Sequence, residues 1–286
     1  MKFKQQSVQC LSPSGLHRMA YTEWGEYDNP RVLVCVHGLT RNARDFDALA
    51  EAMSGHYRVI CPDVVGRGQS SHLRDPAGYA LPQYVADMVT LIARLGVQRV
   101  DWVGTSMGGL IGMALAALDG TPIGRLVLND IGPAIDLDAL ERIITYVGAD
   151  PAWVSFDEAL AYVKAVSAPF GPLSEGQWRQ LTESSVARRA DGWWGFLYDP
   201  RIAANFASEI AAIAKNPDCW GLYDRIACPT LAIRGAESDL LTLDVWRQMA
   251  ERGPRAELAE VAGVGHAPMF FDETQISIVR QFLLTP

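Results

Sequence analysis

A serine hydroxyl is almost entirely un-ionised at neutral pH, so a chain that uses one as a nucleophile must hold it beside a base. Residues Gly104-Thr105-Ser106-Met107-Gly108 follow the apolar run Val100 to Val103 and precede the apolar segment Leu110 to Leu118. The pattern G-x-S-x-G alone is a weak motif, but a strand before it and a helix after it make it a nucleophile elbow. A serine on such a tight turn crowds the residues two positions away on either side, and Gly104 and Gly108 carry no side chain to clash. Ser106 is therefore the candidate nucleophile; the competing reading is a serine that merely caps the following helix.

The base should be one of five histidines: His17, His37, His56, His72 and His266. Only His266 follows the last expected strand, in the loop Val261 to Pro268, and loops at the carboxyl ends of parallel strands share the rim on which Ser106 stands. The base needs a carboxylate to hold its tautomer. Chain order Ser, acid, His places that acid between Ser106 and His266. The loop after the run Thr230 to Ile233 offers Glu237 and Asp239, and Asp130 ends the run Leu126 to Asp130. Asp239 is the preferred acid, ahead of Asp130 and Glu237.

Elements that could position these groups alternate between short β-rich runs and longer helical patterns, the signature of βαβ units and a mostly parallel sheet. The runs are Arg31 to Val36, Tyr57 to Cys61, Val100 to Val103, Arg125 to Leu128, Thr230 to Ile233 and Glu257 to Val261; Lys4 to Cys10 and His17 to Trp24 alternate more and suit an antiparallel edge. Val85, Met88, Val89, Ile92 and Leu95 recur at helical spacing up to Gly96. The rhythm stops after Leu128 and resumes at Thr230. Between them, helices are expected at Leu137 to Val147, Phe156 to Val166, Ser174 to Ser184 and Ile202 to Ala214, forming a cap over residues 134–226, with the core domain in 1–133 and 227–286. Five of the eight tryptophans fall in this block; the pair Trp193-Trp194 is a candidate pocket wall, set against the plainer reading of a cap core.

In these motifs the chain resembles the α/β-hydrolase superfamily, in its capped, serine esterase-like branch. The matching residues are His37-Gly38, Asp63-x-x-Gly66-x-Gly68-x-Ser70, the elbow with the additional Gly109, the loop Gly235 to Asp239, and Gly265-His266, spread over nearly the whole chain. The resemblance implies an eight-stranded, mostly parallel sheet flanked by helices, and an oxyanion hole built from the backbone N–H groups of Leu39 and Met107. It implies a loop-ordering role for His37. It excludes dehalogenase and epoxide-hydrolase relatives, which have an aspartate at the elbow, but leaves open carbon–carbon-bond hydrolases, cofactor-free peroxidase-like enzymes and a non-catalytic small-molecule receptor. Ester or thioester hydrolysis ranks first because it needs only the triad and the hole.

Arg41 and Asn42 extend the loop after His37-Gly38; Arg41 is a candidate substrate contact and Asn42 a candidate cap for a helix over Ala43 to Met53. Gly66 to Ser70 lacks the G-x-x-x-x-G-K-[ST] pattern, so it reads as a turn and not a phosphate cradle. A net charge of -8 with scattered Lys and Arg argues against nucleic acid as a partner. No apolar run suits a secretory leader or a membrane span, which points to the cytoplasm. Five cysteines without C-x-x-C spacing read as inert thiols, not as a metal site or disulfide framework. The expected partner is a small ester or thioester, with no cofactor or metal.

Overall fold

The computed structural model describes residues 3–205 and 219–285. Eight strands form one sheet: β1 (Phe3–Ser12), β2 (Gly15–Trp24), β3 (Val32–Val36), β4 (Arg58–Pro62), β5 (Val100–Thr105), β6 (Ile123–Asn129), β9 (Thr230–Gly235) and β10 (Glu257–Val261). Two short strands, β7 (Val186–Arg188) and β8 (Trp194–Phe196), pair with each other apart from it. The spatial order is β1-β2-β4-β3-β5-β6-β9-β10, antiparallel at β1-β2 and β2-β4 and parallel elsewhere.

The central runs are apolar throughout because both faces of the sheet are covered. Val32, Val34 and Val36 point into one core layer, and Leu33 and Cys35 into the other; Leu126 and Leu128 oppose Val127 in the same way. Onto the first face pack α2 (Leu81–Leu95) and α3 (Met107–Ala116); onto the second pack α1 (Asp47–Met53) and α9 (Glu273–Leu284). A further helix, α8 (Leu243–Met249), follows β9. Helix α2 stops at Gly96, whose φ of 72° is the left-handed conformation that glycine adopts without Cβ strain. Its buried stripe runs through Tyr84, Met88, Leu91, Ile92 and Leu95, whereas Val89, expected inside, is exposed.

Between β6 and β9 lie α4 (Leu137–Ile144), α5 (Phe156–Val166), α6 (Glu175–Ser185) and the one-turn α7 (Trp220–Tyr223). Side chains that prefer helix starts set the first three: Asp136 accepts from the N–H groups of Asp138 and Ala139, Ser155 from Glu158, and Ser174 forms a reciprocal box with Gln177. The helix expected over Ile202 to Ala214 lies largely outside the described residues. The segment departs from an all-helical block because Asp191-Gly192 is turn chemistry: Gly192 takes φ 89° and the Asp191 side chain accepts from Trp193 N–H, closing the β7–β8 hairpin. The hairpin's exit is strapped to the core, with Gly68 N–H donating to Leu197 O at 2.7 Å and Asp199 N–H to Gly66 O at 2.8 Å.

Cys10, Cys35, Cys61 and Cys228 are buried and Cys219 is exposed; all five are free thiols. Among the described residues, no helix is long and apolar enough to cross a membrane.

Candidate active site

Parallel pairing brings the ends of β5, β6 and β9 to one rim, with Thr105 level with Asn129 and Asn129 level with Ile233. Ser106, one residue beyond β5, has φ 52° and ψ −117°, a conformation that costs a non-glycine residue about 1–3 kcal/mol and persists only where its surroundings enforce it. Here they do. Ser106 N–H donates to Asn129 O at 3.0 Å, and Gly109 N–H to Ser106 O at 2.8 Å. A Cβ on Gly104 would lie 2.2 Å from Gly108 O, and one on Gly109 2.3 Å from an Ile131 methyl. The glycines expected to relieve crowding at the turn stand at its closest approaches.

His266 Nε2 lies 3.0 Å from Ser106 Oγ, and its Nδ1 lies 2.8 Å from a carboxylate oxygen. That carboxylate belongs to Asp130, not to Asp239. Asp130 stands one residue beyond β6, fully buried, its left-handed φ of 54° tolerable for a short polar side chain. It accepts from Gly235 N–H at 2.8 Å and Ser238 Oγ–H at 2.6 Å as well as from His266. Asp239 points outward and forms a half-exposed, two-pronged ion pair with Arg142 of α4. The loop after β9 turns immediately: its Ser238 hydroxyl folds back onto Asp130 while its acids face solvent. Glu237 is likewise exposed.

The loop after β3 runs beside Ser106, close enough that a Cβ on Gly38 would sit 3.7 Å from Ser106 Cβ. Among the described residues, neither Leu39 N–H nor Met107 N–H has a hydrogen-bond acceptor, as befits the first residue of a helix in the case of Met107. Both residues line a cavity of about 170 Å³ that also opens onto Ser106 and His266. Its walls are apolar: Leu81, Leu110 and Ile131 from the core, and Ile143, Val163 and Phe196 from the inserted segment. Tyr84, Tyr146, Tyr162 and Tyr198 contribute phenols, and Arg41, Arg142 and Asp45 the charges.

Of the expected pocket residues, Arg41 lines this cavity and the tryptophans do not. Trp193 lies at the hairpin tip and is exposed, and Trp194 packs edge-on against Phe156, 5.5 Å between ring centroids, within a small cluster of its own. Arg41 is fully engaged: its guanidinium donates twice to Asp45, at 2.9 and 2.6 Å, and to Ser185 Oγ at 2.7 Å, which joins the loop after β3 to α6. Asn42 accepts from Arg44 N–H at 3.0 Å and so caps a short 3-10 turn, Ala43–Phe46, ahead of α1.

The model of the alpha/beta hydrolase fold matches residues 31–273. This chain belongs to the α/β-hydrolase family. It is 51% identical over 280 residues to a 3-hydroxybutyrate-oligomer hydrolase of Cupriavidus necator, with 96% of each chain covered. A solved α/β hydrolase from Novosphingobium aromaticivorans superposes with a TM-score of 0.85 at 33% identity, covering 99% of both chains. A solved structure from Rickettsia typhi superposes with a TM-score of 0.89 at 30% identity, again covering 99% of each. The chain is thus a hydrolase, and the motifs quoted from its sequence carry the family fold.

Three residues of this α/β hydrolase position the site although the motifs read from the sequence give them no role. Asn129 Nδ2 donates to Thr105 Oγ1 at 2.9 Å and to Pro268 O at 2.8 Å, tying the strand before Ser106 to the loop that carries His266. Arg67 is wholly buried and donates to Leu39 O at 2.8 Å, Val65 O at 2.8 Å and Tyr84 Oη at 3.0 Å, so it fixes the carbonyl of a residue that lines the cavity. Ser238 orients Asp130, as described. No spacing rule singles out any of them, because each acts across long sequence separations.

His37 does order its loop. Its Nδ1–H donates to Gly38 O at 2.7 Å and its Nε2 accepts from Val64 N–H at 2.9 Å, so the ring is needed neutral. Burial, reinforced by the charges of Arg67 and Arg41, pulls this imidazole down to about 3. An unfolded chain takes up the proton below about pH 6.5, so between those values the unfolded state binds more protons than the fold. The stability His37 contributes is complete above pH 6.5 and is lost as pH falls, by about 1.4 kcal/mol per unit. Urea unfolding from pH 7 down to 4.5 should show a steeper loss for the wild type than for His37→Asn; equal slopes would remove His37 from the account.

Proposed function

We propose that this hydrolase is a serine esterase acting on short oligoesters of the 3-hydroxybutyrate type through an acyl-enzyme. The observation that carries the reading is the hydrogen-bonded series Ser106–His266–Asp130 at the floor of an apolar cavity. The cavity is about half the ~300 Å³ at the low end of drug-sized ligand pockets, which favours short acyl units over long fatty chains. The relative from Cupriavidus necator supports the choice of ester.

Ser106 Oγ attacks the ester carbonyl while His266 Nε2 takes its proton, and Asp130 accepts from Nδ1–H, holding the imidazole in the tautomer that leaves Nε2 free. The oxyanion that forms is met by the Leu39 and Met107 N–H groups, each such donor contributing typically ~3 kcal/mol. His266 then returns the proton to the departing alkoxide. Water, deprotonated by the same nitrogen, releases the acid and restores Ser106. The described part of residues 134–226, through α4, α5 and β8, serves as the cap that supplies the cavity's outer wall and limits water around the developing charge.

A 3-hydroxybutyrate dimer and trimer should both be converted to monomer, and a series of p-nitrophenyl esters should peak between acetyl and butyryl. Failure to cleave the dimer, together with a maximum at decanoyl or longer, would replace the oligoester by a fatty ester as substrate.

A further inference from the structure

The cavity holds two arginines whose circumstances differ. Arg41 has its charge matched by Asp45, both largely buried, and a third donor spent on Ser185. Arg142 is 41% exposed and its partner Asp239 50% exposed, so that pair belongs to the class worth ~0–1 kcal/mol. Yet Arg142 sits among the cavity residues of α4 and the turn after it, with Ile143, Tyr146 and Val147, and Leu240 beside Asp239 lines the same cavity. Tyr146 lines the cavity one turn beyond Arg142; burial raises its phenol, and the nearby charge of Arg142 pulls the other way. Besides the matched Arg41–Asp45 pair, the cavity wall thus carries a planar two-pronged donor whose present carboxylate partner is half-exposed.

We propose that Arg142 is the subsite for a carboxylate at the leaving-alcohol end of the substrate, and that this carboxylate takes the place of Asp239. The inference rests on the oligoester reading, since a hydroxyacid oligomer ends in one free carboxyl group on that side of the scissile bond. The geometry Arg142 offers Asp239, Nε and Nη2 each 2.9 Å from a separate oxygen, is the fork that a substrate carboxylate would occupy. Asp239 is then a resident competitor. It keeps the guanidinium in place at the cavity wall when substrate is absent and lowers affinity for acids when substrate arrives. This assigns a role to the residue that chain order alone nominates as the triad acid.

The test compares the 3-hydroxybutyrate dimer with the same dimer whose terminal carboxyl is an amide, reading the ratio of their kcat/KM values. Arg142→Gln should lower the acid-to-amide ratio by about 10- to 100-fold, through KM, as expected for loss of a charge-assisted fork. Asp239→Asn should raise it, and added salt should lower it in the wild type. A latch between α4 and the core predicts something else: both variants would fall together on both substrates, with the ratio unmoved. A ratio that falls less than about threefold in Arg142→Gln, or that falls in both variants, overturns the proposal. If the wild type spares the dimer, the oligoester reading fails by itself. The same ratio is then read on 3-acetoxybutyrate and 3-acetoxybutyramide, which keep the leaving group and drop the oligomer; a drop of tenfold or more in Arg142→Gln supports the subsite and one below about threefold overturns it.

Discussion

Asp130→Asn should lower kcat on p-nitrophenyl butyrate by about 10⁴, close to the roughly 10⁴ to 10⁶ expected for Ser106→Ala, while Asp239→Asn should cost less than about tenfold. The difference follows from hydrogen bonds that can be counted. Asparagine at 130 tolerates the left-handed backbone and can still accept from Gly235 N–H through its carbonyl oxygen. Its NH₂ then faces His266 Nδ1, which must become the acceptor. The ring proton moves to Nε2, the nitrogen 3.0 Å from Ser106 Oγ, and the base can no longer take the serine's proton. The fold survives and the tautomer is wrong. Asp239→Asn changes only a solvent-facing pair with Arg142, and a neutral ester has no carboxylate for that arginine to recognise. Steady-state kinetics of the three purified variants, with circular dichroism to confirm folding, gives the comparison. Equal losses for Asp130→Asn and Asp239→Asn, or a larger loss for Asp239→Asn, would return the acid to the loop after β9.

Ser106 and His266 are legible in the sequence because each is announced locally, one by flanking glycines between a strand and a helix, the other by its place after the last strand. The carboxylate that meets His266 has no motif of its own. Chain order is satisfied equally by Asp130 and Asp239, and what separates them is sheet register: β6 lies between β5 and β9, so its end is level with Ser106, whereas four residues of loop carry Asp239 past the rim. The run Leu126 to Asp130 does hold a clue, since an apolar strand ending in Asn-Asp puts two polar side chains where water is scarce and partners are needed. The Asn129 amide nitrogen bridges Thr105 and Pro268, while its Oδ1 has no partner among the described residues, and Asp130 gathers three donors.

The strands are readable for a similar reason of locality, since burial on both faces imposes uninterrupted apolar runs. The inserted segment is readable only in its capped helices. Its hairpin escapes a reading by pattern because three-residue strands carry too little of one, and its tryptophans mislead because an aromatic side chain fills a small core as readily as it lines a cavity. The aromatics that do line the cavity with Ser106 are tyrosines and phenylalanines scattered from Tyr84 to Tyr198, which only the folded chain brings together.

Gly108→Ala should destabilise the fold by more than about 4 kcal/mol, a loss large enough to leave little native protein. Helix propensity alone predicts the opposite sign, because Gly108 lies in the first turn of α3 without a left-handed φ, and alanine in a helix is favoured over glycine by about 1 kcal/mol. Sterics outweigh that gain. An added Cβ would stand 2.0 Å from Val36 O and 3.0 Å from His37 O, and these are backbone atoms at the end of β3 with no side-chain rotamer to yield. Either α3 lifts from the sheet, taking Trp102 Nε1 off Gly108 O, or the end of β3 moves and with it the Leu39 N–H. Gly176→Ala in α6 provides the control, since nothing lies within 4 Å of its added Cβ and it should be neutral or stabilising by up to about 1 kcal/mol. Urea unfolding of both variants decides the matter: a loss below about 1 kcal/mol for Gly108→Ala would mean that close approach between helix and strand is not what requires a glycine after Ser106.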